Sequence, residues 1–100
     1  MKFVQIIDFE TERLDEMNQL MDDARQRMAD QEGGPTRRML LKDRDTPGRY
    51  FAVIEFDSYD EAMRNSENPE TTKMAEQLGA LCTRETRFIN CDLLDAQDPS

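Results

Sequence analysis

The 100 residues of this sequence include no histidine, so the side chains that could do acid–base chemistry are chiefly its many carboxylates. Ser-His-Asp and Cys-His nucleophile systems both need an imidazole, and so do the common catalytic zinc sites. The sequence therefore excludes these classes of enzyme, and we expect no metal site.

A general base in this chain would have to be a carboxylate whose pKa is raised by burial. Glu55 and Asp8 are the candidates, since both fall within apolar segments that predict strands. The alternative is an ion pair between such a carboxylate and an arginine across a dimer. The pairs Asp22-Asp23 and Asp43/Asp45 are expected to be solvated.

The two cysteines, Cys82 and Cys91, are nine residues apart and form no metal or redox motif. Unpaired cysteine behaves as a small hydrophobic residue, so both are expected to be buried free thiols.

The charge distribution limits the partners. Twenty-two acidic and thirteen basic residues give a net charge of −9, which opposes binding to nucleic acid or to anionic membranes. Between Arg37 and Arg49, however, five bases and two acids give +3, which leaves −12 for the remainder. That basic segment is either a solvated hairpin or a docking patch for an acidic subunit or an anionic ligand.

The elements that must position these groups are organised around the segment Arg49 to Met63. Its first half alternates aromatic and β-branched residues, which predicts a strand over Tyr50 to Phe56. Ser58 followed by Glu61 is a capping box that begins a helix. Asn68-Pro69 is a fresh helix start, so this region is one bent helix or two short ones.

The rest of the chain completes a simple order of elements. Lys2 to Phe9 predicts a central strand, apolar on both faces, and Thr11 is expected to cap a helix that extends to about Gln31 and ends at Gly33-Gly34-Pro35. Strands are expected over Thr36 to Asp45 and Thr83 to Asp92, with a turn at Asp45-Thr46-Pro47-Gly48.

The order strand, helix, strand, strand, helix, strand predicts an α+β, ferredoxin-like βαββαβ fold. In that fold a four-stranded antiparallel sheet carries two helices on one face. The uncovered face would hold Val4, Ile6, Phe51 and Val53, which are too apolar to face water. We therefore expect a homodimer, with one domain over residues 1–93 and a tail over residues 94–100. No signal-peptide pattern or long apolar run is visible, which predicts a cytoplasmic protein.

The segment Glu55-Phe56-Asp57-Ser58-Tyr59-Asp60-Glu61-Ala62 resembles the end of the third strand in the dimeric α/β-barrel superfamily, in particular its antibiotic-biosynthesis-monooxygenase-like proteins. The resemblance covers nearly the whole chain as topology. It implies a homodimer with sheets face to face and a protein that oxidises aromatic or polyketide-like molecules without a cofactor.

The resemblance also points to candidate pocket residues. Such an oxygenase needs an apolar cavity for a planar substrate and hydrogen-bond donors that stabilise its enolate or phenolate anion. The side chains that could provide these are Gln5, Phe56, Tyr59, Asn65 and Arg87. Phe56 stands where the family often has tryptophan, and Arg87 could alternatively be held in an ion pair.

Three other interpretations follow from the same residues. Haem cleavage, known in one branch of the superfamily, is not expected. That branch uses a histidine on the second helix, and this chain contains no histidine. It also uses an asparagine on the first strand, where this chain has Ile7. A non-catalytic ligand-binding or structural dimer fits the generic polar side chains equally well. The RNA-recognition fold shares the element order, but its stacking platform needs exposed aromatic residues on strands one and three.

Overall fold

A computed structural model describes residues 1–27 and 34–97 of the chain. Within these residues, seven elements follow one another: β1 (Phe3–Glu10), α1 (Leu14–Arg27), β2 (Arg37–Lys42), β3 (Arg49–Phe56), α2 (Tyr59–Glu67), α3 (Pro69–Ala80) and β4 (Arg87–Asp92). The strands form one antiparallel sheet in the order β2-β3-β1-β4. The predicted ferredoxin-like βαββαβ fold is confirmed, with the second helical region divided in two.

The pairing register assigns each side chain to a face of the sheet. Phe3 pairs with Phe56 and Phe9 pairs with Tyr50, and all four side chains lie on the face that the helices cover. The alternate positions of the same strands lie on the other face, which we call the open face. Its apolar members are Val4, Ile6, Met39, Leu41, Phe51, Val53, Ile89 and Cys91.

The core under the helices consists of two clusters. Phe3, Phe56 and Ala62 form one cluster at the α2 end of the sheet. Phe9, Met17 and Ala52 form the other, with Ile7, Met21, Tyr50, Leu78, Leu81 and Cys82 packed around it. The methionines of the α1 stripe that the structure describes are therefore core residues, whereas Met28, Gln31 and Gly33 of the predicted helix and its end lie outside the described residues.

The start of α1 differs from the prediction. Thr11 is not the N-cap, because the first helical hydrogen bond runs from the Met17 N–H to the Arg13 carbonyl. The Thr11 hydroxyl instead accepts from the Arg13 N–H at 3.0 Å and donates to the Leu81 carbonyl at 2.7 Å. Buried Thr11 thus ties the end of β1 to the end of α3.

The other two predicted helix starts, at Ser58 and at Asn68-Pro69, are confirmed by the cap geometry. The Ser58 hydroxyl accepts from the Glu61 N–H at 3.1 Å and begins α2. Asn68 accepts from the Glu70 N–H at 3.0 Å and, with Pro69 in the first turn, begins α3. The bent-or-split alternative therefore resolves to two helices.

Several predicted strand boundaries differ from the structure by a few residues, including both ends of β1 and the start of β2. β2 ends at Lys42, β4 begins at Arg87, and β3 begins one residue early at Arg49. The predicted turn before β3 is present, with Gly48 at a φ of +83°. Within the described residues, no helix is long and apolar enough to cross a membrane.

Candidate functional site

The predicted site residues are divided between the two faces of the sheet. Gln5 lies on the helix-covered face, since it pairs with Ile54 of the core. Phe56 lies on the same face and is buried in the core, and Tyr59, the first residue of α2, packs against the neighbouring Phe3. Arg87 pairs with Asp8 and lies on the open face, so the sheet separates it from Gln5 and Tyr59.

The helix-covered face holds a set of polar and aromatic groups beside the edge strand β4. Gln5 Nε2 donates to Asn90 Oδ1 at 3.1 Å across the β1–β4 pair. The Tyr59 ring packs edge-on against Phe3, with centroids 5.4 Å apart, and is 53% exposed. Phe88, also on this face of β4, is 57% exposed. We call Gln5, Tyr59, Phe88 and Asn90 the amide–aromatic strip.

The strip is accessible because the helices cover the middle of the sheet rather than its β4 edge. Phe88, Asn90 and Asp92 point to the helix side of β4, and all three are exposed. Among the described residues, neither the Asn90 Nδ2 group nor the Tyr59 hydroxyl has a hydrogen-bond partner, and both side chains are exposed. Hydrogen-bond donors beside exposed aromatic rings can orient a planar ligand and stabilise an oxyanion on it.

Asn65, the remaining predicted site residue, is half-buried on α2, where its backbone carbonyl accepts from the Asn68 N–H at 3.2 Å. Its contact with a ligand stays a prediction, as does that of the other candidates. Sequence analysis missed Phe88 and Asn90. The alternation along β4 already separates them from Arg87, and antiparallel pairing with β1 would have aligned Asn90 with Gln5.

The expectation that Asp8 or Glu55 has a raised pKa is wrong. The Arg49 and Arg84 guanidinium groups lower the pKa of Asp8 from its ordinary 3.8 to about 2, although burial opposes them. The pKa of Glu55 is lowered because the Thr36 hydroxyl donates to its carboxylate at 3.0 Å and Lys2 lies 3.4 Å away. Both carboxylates lie on the open face, so neither is the general base for the amide–aromatic strip.

Asp8 is instead the centre of an ion-pair network within one chain. Arg49 donates to both of its oxygens, at 3.1 and 2.9 Å, and Arg84 donates to Oδ1 from the segment before β4. Arg84 also reaches Glu10 at 3.1 Å, and Arg49 lies 3.7 Å from Asp43. The bonds hold β1, β3 and the β4 approach together without a second subunit, so the network is structural.

The cysteines and the aromatic residue of the open face take no part in the site. Cys82 and Cys91 are free thiols, half-buried rather than buried. Phe51 is stacked under the Arg49 guanidinium at 5.0 Å. Among the described residues, the open face of β1 offers no second aromatic residue, which disfavours an RNA-stacking platform.

In the part of the chain that the structure describes, two solvent-open cavities lie beside α1. The larger, about 330 Å³, lies at the start of α1 beside residues such as Glu12 and Leu14, and the smaller, about 210 Å³, lies between α1 and β2. Neither is lined by the amide–aromatic strip. Phe3, Phe56 and Met63 fill the space between α2 and the sheet.

Structural comparison gave extensive matches. The chain is similar to SnoaB, a cofactor-independent oxygenase from Streptomyces nogalater solved as an asparagine-to-alanine mutant, with a TM-score of 0.79, 21% identity and 95% of each chain covered. The chain has the fold of the antibiotic-biosynthesis-monooxygenase-like proteins.

Two further structures show the same likeness. Rv0793 from Mycobacterium tuberculosis has a TM-score of 0.76 and 17% identity over 98% of this chain and 100% of the other. A protein named antibiotic biosynthesis monooxygenase has a TM-score of 0.71 and 17% identity over 95% of this chain and 100% of the other. No family model and no curated protein sequence matches the chain.

Proposed function

We propose that this protein is a homodimeric, cofactor-independent monooxygenase that acts on aromatic or polyketide-like small molecules at the amide–aromatic strip. The observation that supports it most is the pairing of amide donors with exposed aromatic rings on the helix side of β4. The fold similarity to SnoaB, which is named as a cofactor-independent oxygenase, adds to it.

Because no cofactor takes part, the substrate itself must supply the electrons that reduce O₂. An enolisable aromatic CH₂ group that becomes a carbonyl can do so: R₂CH₂ and O₂ give R₂C=O and H₂O. The substrate loses the four electrons that O₂ gains, one oxygen atom enters the product and the other leaves as water. The step requires removal of a proton and stabilisation of the resulting enolate or phenolate.

The residues of the strip have separate roles in this proposal. Asn90 Nδ2 and the Tyr59 hydroxyl donate hydrogen bonds to the substrate oxyanion, and Gln5 holds the Asn90 side chain in place. Phe88 packs against the aromatic rings. The proton leaves to water, since Phe88 and Asn90 are exposed to solvent.

The homodimer is proposed because of the apolar open face. Met39, Leu41 and Ile89 are 38%, 45% and 39% exposed on this face in the single chain. A contiguous apolar surface of this kind is typical of a protein interface, and a second copy presents an identical one.

Light scattering with chromatography tests the dimer, which we expect at twice the chain mass of 11.7 kDa. Val53→Lys inserts a charge into the open face and is expected to give a monomer. Thr72→Lys, exposed on α3, is the control and should remain a dimer. A wild-type monomer at micromolar concentration would contradict the interface.

Oxygen uptake with a panel of anthrone-like substrates tests the activity, and carbonyl formation is followed by absorbance. Asn90→Leu should lower kcat/KM roughly 100-fold, the scale of losing one oxyanion donor. Gln77→Leu, an exposed amide on α3, should leave it unchanged. Equal rates for both variants, or uptake no faster than without protein, would refute the proposal.

The second candidate function is a non-catalytic ligand-binding or structural dimer. It is favoured by the filled space between α2 and the sheet, where Phe3, Phe56 and Met63 pack. A dimer without oxygen uptake or ligand-induced stabilisation across the same panel would support the structural role.

A further inference from the structure

The smaller cavity lies on the opposite side of the molecule from the amide–aromatic strip. It is a solvent-open cavity between α1 and the outer edge strand β2 and has a volume of about 210 Å³. We call it the α1–β2 cavity. The residues that line it and matter here are Asn18, Met21, Asp22, Arg25, Arg38 and Leu40.

Arg38 is the unusual member of this set. It pairs with Ile54, so its side chain lies on the helix-covered face, where it is half-buried. Its Nη2 lies 2.7 Å from the Met21 sulfur, a weak neutral acceptor. Within residues 1–27 and 34–97, no carboxylate forms an ion pair with it.

The surroundings of Arg38 leave its charge poorly compensated. Burial and the neighbouring Arg25 lower the pKa of Arg38, and Asp22 opposes them only in part. The Asp22 carboxylate is already bonded to Arg25 on the same helix. Two cations and one anion therefore meet at the cavity, and a half-buried cation is costly without an anionic partner.

The lining also defines the ligand. Met21 and Leu40 provide apolar walls, and the Asn18 amide provides a further polar contact. The volume equals roughly seven water molecules at about 30 Å³ each, which suits a small ligand better than a large polycyclic one. A single aromatic ring fits between the apolar walls, with one carboxylate facing the planar guanidinium fork.

We propose that the α1–β2 cavity binds a small aromatic carboxylate, with Arg38 as the anchor of the carboxylate group. The site is independent of the oxygenase proposal, because it uses no residue of the amide–aromatic strip. Met39, on the open face, also borders the cavity, so the binding test is carried out at one fixed protein concentration.

Calorimetric titration of the full chain at pH 7 and fixed low salt tests this inference, with benzoate as the probe. Benzamide, which has the ring without the charge, and inorganic phosphate, which has the charge without the ring, are the comparison ligands. Benzoate is expected to bind at least about tenfold more tightly than either, since a charge-assisted pair and apolar burial both contribute.

Matched variants assign the binding to Arg38. Arg38→Gln should weaken benzoate binding roughly tenfold or more, whereas Arg44→Gln, an exposed cation on the same hairpin, should leave it within a factor of two. Circular dichroism checks that both variants are folded. If Arg38→Gln does not fold, nitrogen-15 spectra of the wild type should show the Arg38 Nε and Asn18 Nδ2 resonances shifting with benzoate.

The proposal is overturned by any of four results. These are no benzoate binding, benzamide or phosphate binding as tight as benzoate, equal loss in the two arginine variants, or resonance shifts located away from α1 and β2. Oxygen uptake by the benzoate-saturated protein has no bearing on the outcome, so failure here and failure of the oxygenase proposal are distinguishable.

Discussion

Replacing Asp8 by asparagine should destabilise the protein measurably, and the loss should depend on pH. The carboxylate is 4% exposed and receives hydrogen bonds from Arg49 and Arg84. Its pKa of about 2, against 3.8 for the ordinary group, corresponds to about 2 kcal/mol of stability at pH 7. About a third of each guanidinium is exposed, so screening reduces this to roughly 1–2 kcal/mol.

The sign of the pH dependence follows from the lowered pKa. The native state holds the Asp8 proton less tightly than the unfolded chain, so this stabilisation is complete above pH 3.8 and is lost as the pH falls towards 2. About half of it should remain at pH 3. The difference between wild type and Asp8→Asn should shrink accordingly.

Urea denaturation at fixed protein concentration, at pH 7 and pH 3, measures both quantities. Asp57→Asn, which alters an exposed aspartate at the strand–helix junction, is the matched control and should change stability by less than about 0.5 kcal/mol. The reasoning is refuted if Asp8→Asn is as stable as Asp57→Asn at pH 7. It is equally refuted if the loss is the same at pH 3 as at pH 7.

Further predictions concern the local devices of the fold, and thermal or urea unfolding checks each of them. Gly48→Ala should destabilise the protein by about 1 kcal/mol or more, because φ is +83° and the new Cβ would lie 3.4 Å from the Thr11 carbonyl. Gly79→Ala, in a helix with open space around it, should stabilise the protein by up to about 1 kcal/mol. Thr11→Val should cost about 1–3 kcal/mol, since the Leu81 carbonyl loses the 2.7 Å hydrogen bond that buried Thr11 donates to it. Ser58→Ala should cost about 1 kcal/mol through loss of the α2 cap.

A specific result would contradict each of these predictions. The backbone argument fails if both glycine substitutions change stability in the same direction. The polar tie between β1 and α3 is unimportant if Thr11→Val is as stable as Thr83→Val, whose threonine is exposed. The cap is unimportant if Ser58→Ala matches Ser66→Ala, an exposed serine within α2.

The fold was predictable because the local signals agree with one another. The alternation around Tyr50 to Phe56, the cap at Ser58 and the Asn68-Pro69 helix start all appear in the structure where the sequence indicates them. The prediction that Thr11 caps α1 is wrong because of a tertiary contact. The Thr11 hydroxyl bonds to the carbonyl of Leu81, seventy residues away, and no local pattern reveals such a partner.

The candidate site was less predictable, because it depends on pairing between distant strands. Gln5 is part of the candidate site because the β1–β4 register places Asn90 opposite it, and the two side chains form a hydrogen bond. The charge of Arg87 makes it a candidate pocket residue, but the alternation of side chains along β4 assigns it to the open face. The lowered pKa of Asp8 depends on Arg49 of β3 and on Arg84, which approaches from a segment without regular structure.

The central claim is that aromatic ligands bind on the helix side of β4. The most direct measurement is the nitrogen-15 spectrum of the side-chain amides during titration with a hydroxyanthraquinone, a product-like molecule that is not oxidised further. We predict that the Gln5 and Asn90 amide resonances shift while those of Gln77 do not. Shifts confined to backbone amides of the open-face residues Phe51 and Val53, or no shifts at all, would contradict the claim.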